Sequence, residues 1–223
     1  GLALEPRKEG DGGVRFVSVG DHDLPVALGG RFSLPSAVGL GLMASIGPDA
    51  FGDLLAGMRA IDEHLAATPV SSNGPMLLGL LDVWHRSFLG ASSLAVVPYS
   101  SQLGLFPAYL QQLMMESLGK RVLMDGSAVT GDTGAVVWGA PGTDGQHAFF
   151  QLLHQGTHLV PVEFVAVTEP GDALAEAHHR QLLLNAFAQG AALMKGRANA
   201  DEARAYPGDR PSSTLLLEML DPR

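Results

Sequence analysis

Four short, uninterrupted apolar runs constrain the second half of this chain more than any other feature. They are "SLAVVPY" (93–99), "AVVWG" (135–139), "LVPVEFVAV" (159–167) and "STLLLEML" (213–220). Each has the length of a strand and lacks the alternation of a half-solvated one, so each reads as a strand buried on both faces. Helical periods fill the intervals: Leu105 to Gly119, about Gly145 to Gln155, and the long stretch 173–196. Strands that alternate with helices predict an α/β fold. Its parallel sheet is joined by right-handed crossovers and flanked by helices on both faces.

The first third reads differently. From Leu34 to Leu65 the apolar positions fit helices, with Phe51, Leu54, Leu55, Met58, Ile61 and Leu65 recurring at helical spacing. "NGPMLLGLLDVWHRSFLG" (73–90) opens on Asn-Gly-Pro and stops at Gly, both helix-boundary signals. Residues 1–25 are polar and glycine-rich around a short β-like "VRFVSV", and read as a lead-in segment. The chain starts at Gly1 without a Met and stops at Arg223 after a strand-like run, so the expectation is a piece of a longer protein.

Composition narrows the function classes. With 223 residues, 46% hydrophobic and 17% charged, the chain can bury a substantial core. A net charge of −9 with no compensating basic cluster argues against a nucleic-acid footprint. The absence of cysteine excludes disulfides, thiol catalysis and Cys-ligated zinc. No apolar run is long enough to cross a bilayer, and no leader or lipidation motif is visible. The expectation is a cytoplasmic protein without a membrane partner.

Ligands of parallel α/β sheets sit at the carboxyl ends of the strands. "GAPGTDGQH" (139–147) follows one such end, and its glycines allow tight turns. It is expected to put Gln146 and His147 at the start of a helix, with His147 as a proton-transfer group. In "ALGGRFS" (27–33), Gly29 and Gly30 permit close backbone approach and Arg31 offers a fixed cationic fork. "QQLMMESLGK" (111–120) carries one acidic side chain, Glu116, on a helical stretch of apolar and amide residues. Such a carboxylate either serves as a base made more basic by burial or lies on the solvent face opposite the leucines. Gln112, one turn earlier, shares its face and can orient it or a ligand hydroxyl. His147, His154 and His158 stand at i, i+7 and i+11, but Gly156 is expected to end the helix before His158, so no metal site is expected. His178 and His179 are adjacent and point to different faces. No dinucleotide fingerprint, Walker A pattern or G-x-S-x-G is present.

"LGGRFSLPSAVGL" (28–40), "YLQQLMMESLGK" (109–120) and "GAPGTDGQHAFFQLLHQGTHLVPVEF" (139–164) occur together in this order. With "HHRQLLLNAFAQGAALMKG" (178–196) and "DRPSSTLLLE" (209–218), they make the chain from about residue 26 onward resemble the glucose-6-phosphate isomerase family. That resemblance implies a sugar-isomerase domain, a Rossmann-like three-layer sandwich. On it, residues 26–223 form the second such domain, without the family's closing C-terminal segment. The resemblance also implies interconversion of glucose 6-phosphate and fructose 6-phosphate through a cis-enediol(ate), in glycolysis and gluconeogenesis, without metal or other cofactor. It assigns Glu116 as the base, His147 as the ring-opening group and Arg31 as the enediolate stabiliser. Gly30 and Gln112 match positions that line the sugar. It implies a homodimer in which His147 is donated across the interface.

Several positions depart from the family's usual residues: Phe32 and Phe150 stand for Tyr, Leu118 and Asp144 for Asn. None removes a proposed catalytic group, although Asp144 adds negative charge close to His147. The domain that grips the phosphate in relatives is absent from this sequence, so the chain alone is expected to be inactive or nearly so. The alternatives are a non-catalytic sugar-phosphate-binding domain, an isomerase for another phosphosugar, and an extracellular signalling role. The first needs no base, which Glu116, His147 and Arg31 together argue against. Nothing in the sequence supports the last.

Overall fold

The computed structural model describes residues 2–4, 16–18, 33–170 and 175–223. They fall into two units, residues 1–60 with 222–223 and residues 61–221. In the first unit, strands β1 (Leu2–Leu4) and β2 (Phe16–Ser18) pair antiparallel, with Ala3 opposite Val17. Helix α1 (Leu40–Ile46) follows a 3₁₀ turn whose Ser36 hydroxyl accepts from the Val38 N–H. Helix α2 (Pro48–Ala67) starts with Pro at its first position and Asp49 in its first turn, both suited to a helix N-terminus. Its Phe51 ring is buried close to Gly39, where a Cβ would meet both that ring and the Leu34 carbonyl.

The second unit begins within α2. Helix α3 (Gly74–Ser87) follows after a short turn, and one side chain joins the two ends. Asn73 is fully buried. It donates to the carbonyls of Leu65 (3.0 Å) and Thr68 (3.1 Å), and its Oδ1 accepts from the Met76 N–H at 3.2 Å. Orphan carbonyls of one helix and an orphan N–H of the next are thereby satisfied by a single amide. The expected Asn-Gly-Pro start of α3 is where the sequence placed it.

The remaining elements are β3 (Ser93–Pro98), α4 (Phe106–Leu110), β4 (Val136–Trp138), α5 (Gly142–Gln146), α6 (Phe150–Gln155), β5 (Val162–Val167), α7 (Glu176–Lys195) and β6 (Ser212–Leu217). The four strands form a parallel sheet in the order β4-β3-β5-β6, with Ala95 opposite Val162, Leu94 opposite Val137 and Val162 opposite Ser212. All four apolar runs are therefore strands of one parallel sheet, as expected. On one face Ala95, Val97 and Tyr99 of the β3 line and Val162, Phe164 and Ala166 of β5 pack with Phe150 and Leu153 of α6 and Ala186 and Leu193 of α7. Full burial of a side chain such as Leu153, Leu193 or Phe164 is worth about 1.5–3 kcal/mol.

The opposite face of the same strands carries Val96, Val165 and Val167, all buried, and the single carboxylate Glu163. Burial raises the pKa of Glu163, and the like charge of Asp82 on α3 raises it further. On the same helix, burial lowers the pKa of His85, against the opposing pull of Asp82. A carboxyl with a raised folded pKa holds its proton more tightly when folded. Its contribution to stability is present at low pH and is lost as pH rises through the raised value. Glu163→Gln is therefore expected to raise the urea midpoint at pH 7.5 while leaving it nearly unchanged at pH 4. An equal gain at both pH values would show that packing, not charge, governs the position.

Candidate active site

Of the candidate residues, Gln112 and Glu116 lie on the crossover between β3 and β4, and His147 on the segment that follows β4. After β3 the chain passes a 3₁₀ turn (Ser101–Leu103) into α4, which has a proline in its first turn. The sequence predicts one α-helix from Leu105 to Gly119. Instead, α4 stops at Leu110 and continues as a π-helical turn, Gln111–Glu116, before one more helical step. Its cause lies across the sheet edge: Gln111 Nε2 donates to the Val137 carbonyl of β4 at 3.1 Å, holding the helix wall against the strand. Such π turns concentrate at functional sites because they re-aim side chains that a regular helix would place elsewhere.

Gln112 and Glu116 both lie on this turn, and both are exposed. Of the two readings of Glu116, burial among the apolar residues is thus corrected in favour of the solvent-facing one: the apolar side chains of Leu113 and Met114 are the half-buried members of the turn. The turn is closed at its C-terminal end by Ser117 Oγ on the Leu113 carbonyl (2.5 Å) and by Lys120 Nζ on the Glu116 carbonyl (2.6 Å). Those bonds fix the backbone of the residue that carries the carboxylate.

The loop after β4 depends on its glycines. Gly139 has φ +152°, and a Cβ there would run into the Val96 carbonyl of β3, so the chain can leave the sheet edge at this angle only without a side chain. Gly142 lies against the Tyr99 ring in the same way. Pro141 caps α5, whose Gln146 donates from Nε2 to the Tyr99 hydroxyl at 2.7 Å. Burial raises the Tyr99 pKa, and the Gln146 amide partly offsets this by favouring the phenolate.

His147 is not at a helix start. The helix expected from Gly145 to Gln155 is two short ones, and His147 is the C-cap of α5, its N–H reaching the Asp144 carbonyl at 3.2 Å. The break has a steric cause. Phe149, with φ −142°, turns out of the helix to pack edge-on against Trp138 at 4.8 Å and beside Phe150 at 5.6 Å. His147 is thereby left exposed at the tip between α5 and α6. Of the two residues that seat this tip, sequence reasoning named Gln146 only as part of an expected helix start and missed Tyr99, whose only signal was a tyrosine closing an apolar strand.

Arg31, Gly30 and Phe32 lie outside the described residues. Asp144 and Leu118 are exposed and Phe150 is buried. Among the described residues no group of three or more His, Asp or Glu side chains is placed to hold a metal. His154 instead bonds Gln189 at 2.9 Å. No described helix is long and apolar enough to cross a membrane.

Fold and site together define a class: a three-layer α/β domain built on a parallel sheet, with Glu116 and Gln112 on the crossover from β3 to β4 and His147 on the segment that follows β4. The particular family follows from comparison. The family model for phosphoglucose isomerase matches residues 23–223, and the chain belongs to that family. It is 57% identical over 196 residues to a glucose-6-phosphate isomerase of Rhizorhabdus wittichii, covering 88% of this chain and 39% of that protein. It is 54% identical over 207 residues to glucose-6-phosphate isomerase 2 of Cupriavidus pinatubonensis, covering 87% and 38%. The crystal structure of a glucose-6-phosphate isomerase from Chlamydia trachomatis superposes with a TM-score of 0.81 at 41% identity, over 87% of this chain and 39% of that one. The chain thus spans about two fifths of the length of the relatives it matches.

The close approach at Gly139 generates a test. Gly139→Ala adds a side chain at a positive φ and against backbone, so it is expected to cost at least about 1–3 kcal/mol of stability. Thermal unfolding of the variant beside wild type measures it; an unchanged midpoint would show that the loop leaves β4 by another route.

Proposed function

We propose that residues 26–223 form the second sugar-isomerase domain of a glucose-6-phosphate isomerase, and that the protein interconverts glucose 6-phosphate and fructose 6-phosphate. The observation that carries this is Glu116: the lone carboxylate of its helix stands on a π turn pinned to β4, in a chain of the phosphoglucose isomerase family.

In the forward direction Glu116 takes the C2 proton of the open-chain aldose. The electron pair moves into the C1–C2 bond and negative charge develops on O1, giving a cis-enediol(ate). Arg31 stabilises that charge, a preorganised electrostatic role. The proton returns from Glu116 to C1 while the O2 hydroxyl proton passes to O1, leaving the ketone at C2. His147 moves the proton between the ring oxygen and the C1 hydroxyl that opens or closes the ring. Gly30 and Gln112 line the sugar. The step is redox-neutral within one molecule and calls for no cofactor.

A base and an imidazole on neighbouring crossovers of one chain need not serve one substrate. In this reading the protein is a cytoplasmic homodimer, with His147 supplied to the partner subunit's site. In the same reading the 223-residue chain by itself is inactive or nearly so, because it spans only about two fifths of the length of the relatives it matches.

The test is fructose 6-phosphate turnover by the full-length protein, wild type beside Glu116→Gln. A positioned general base contributes about 10²–10⁴ in rate, so kcat is expected to fall at least about a hundredfold with KM little changed. Wild type that binds the sugar phosphate but does not isomerise it would replace this reading with a ligand-sensing one.

A further inference from the structure

On the far side of Gln146 from Tyr99 lies a cavity of about 840 Å³ that the proposed isomerisation does not use. It is formed by α6, the end of α7 and the segment that follows α7. Its polar lining is Lys195, Arg197, His154, Gln151, Gln189 and Gln146. No Asp or Glu is among its described lining residues, although the chain carries 23 acidic residues against 14 Lys and Arg. A concave surface with two permanent cations and no carboxylate runs against the charge of the whole molecule. It focuses positive potential where a small anion fits.

The cationic wall is built rather than incidental. The Arg197 guanidinium lies over the Tyr206 ring at 5.0 Å, and the opposite backbones are locked by a pair of 2.9 Å hydrogen bonds between Arg197 and Tyr206. His154 meets the same ring edge-on at 5.6 Å. Its Nε2 donates to Gln189 Oε1 at 2.9 Å, since that oxygen can only accept, and the Gln189 amide remains a donor. Asp201, the carboxylate nearest in sequence, is engaged with Arg204 at 3.3 Å and with the Ala203 N–H. The C-terminal carbonyls of α7 bring about half a negative charge to the same end of the helix, which leaves the two cations in excess.

We propose that this cavity is a second anion site, which takes a phosphate monoester of a small polyhydroxylated metabolite. Lys195 and Arg197 hold the phosphate, and the amides of Gln151 and Gln189 serve the hydroxyls. The volume suits a ligand of that size. Gln146 links this cavity to the residue next in sequence, His147, through one peptide unit, and to the sheet through Tyr99.

Inorganic phosphate is the probe, titrated into the full-length protein at constant ionic strength with binding read from the rise in unfolding temperature. Two variants are compared with wild type: Lys195→Met, which removes one charge, and Arg31→Ala, which alters the other site. One lost charge-assisted hydrogen bond corresponds to about a tenfold weakening. Lys195→Met is expected to shift the phosphate dependence to roughly tenfold higher concentration, and Arg31→Ala to leave that component in place. Because Lys195→Met could act through the α7 terminus, Arg197→Gln is measured too and is expected to shift it in the same direction. A phosphate dependence that neither cavity variant moves, or one that Arg31→Ala abolishes, overturns the proposal, as does no phosphate dependence at all.

Discussion

Tyr99 is the side chain through which the sheet determines the site. It closes β3 with only 1% of its surface exposed and packs against Phe164 of β5 at 6.0 Å. Its ring leaves room for Gly142 only because that residue has no Cβ, and its hydroxyl receives the Gln146 amide. The core face, the loop after β4 and the tip carrying His147 are therefore one packed arrangement, not a loop laid over a finished sheet. A phenol in this position must be both apolar body and polar handle. No other residue type supplies a wall for a glycine loop and an acceptor for the amide beyond it.

The strands were legible because their burial is written locally. A run such as "SLAVVPY" satisfies only a strand covered on both sides, and Val96 and Val97 are indeed fully buried. Asn73 was legible for a related reason: helix capping is decided within a few residues, and the partners of its side chain all lie within nine positions. The π turn was not. "QQLMMESL" has the same apolar spacing whether its hydrogen-bond partners stand four or five positions apart, and the contact that holds the turn to the sheet, Gln111 to Val137, spans 26 residues. The misplacement of His147 has the same origin. Counting from the glycines suggested a helix start, whereas Phe149 breaks the helix to reach Trp138 on a strand that local sequence does not mention. Candidate identities were readable from motif; their placement depended on distant partners.

Charge placement separates two kinds of acidic residue. Glu163 is held inside the sheet beside Asp82, a conflict that desolvation alone would discourage. Its register opposite Val96 in the central strand pair leaves it only partly exposed to solvent. Glu116, by contrast, sits at the surface on a backbone fixed by Gln111, Ser117 and Lys120. The first carboxylate is restrained by its surroundings and the second by its backbone. On the proposed reading of Glu116 as the base, a fixed backbone combined with an exposed position suits a group that must collect and return a proton.

That openness carries a requirement of its own. An enediolate is stabilised best where water is excluded and fixed dipoles replace it, yet Gln112, Glu116 and His147 are all exposed in this chain. On the isomerase reading, desolvation must come from surface these residues do not possess. The apolar side chains of α3 and its C-cap speak to the same need, for Leu80, Val83, Trp84 and Phe88 are each more than half exposed, and Trp84 stacks on Phe88 at 4.9 Å instead of on a core. Clusters of this kind are costly to leave in water and mark surfaces that pack against something. On that same reading, a domain that fixes its polar groups by backbone bonds while leaving them exposed supplies position, and the low-dielectric surroundings in which position becomes rate have to come from elsewhere.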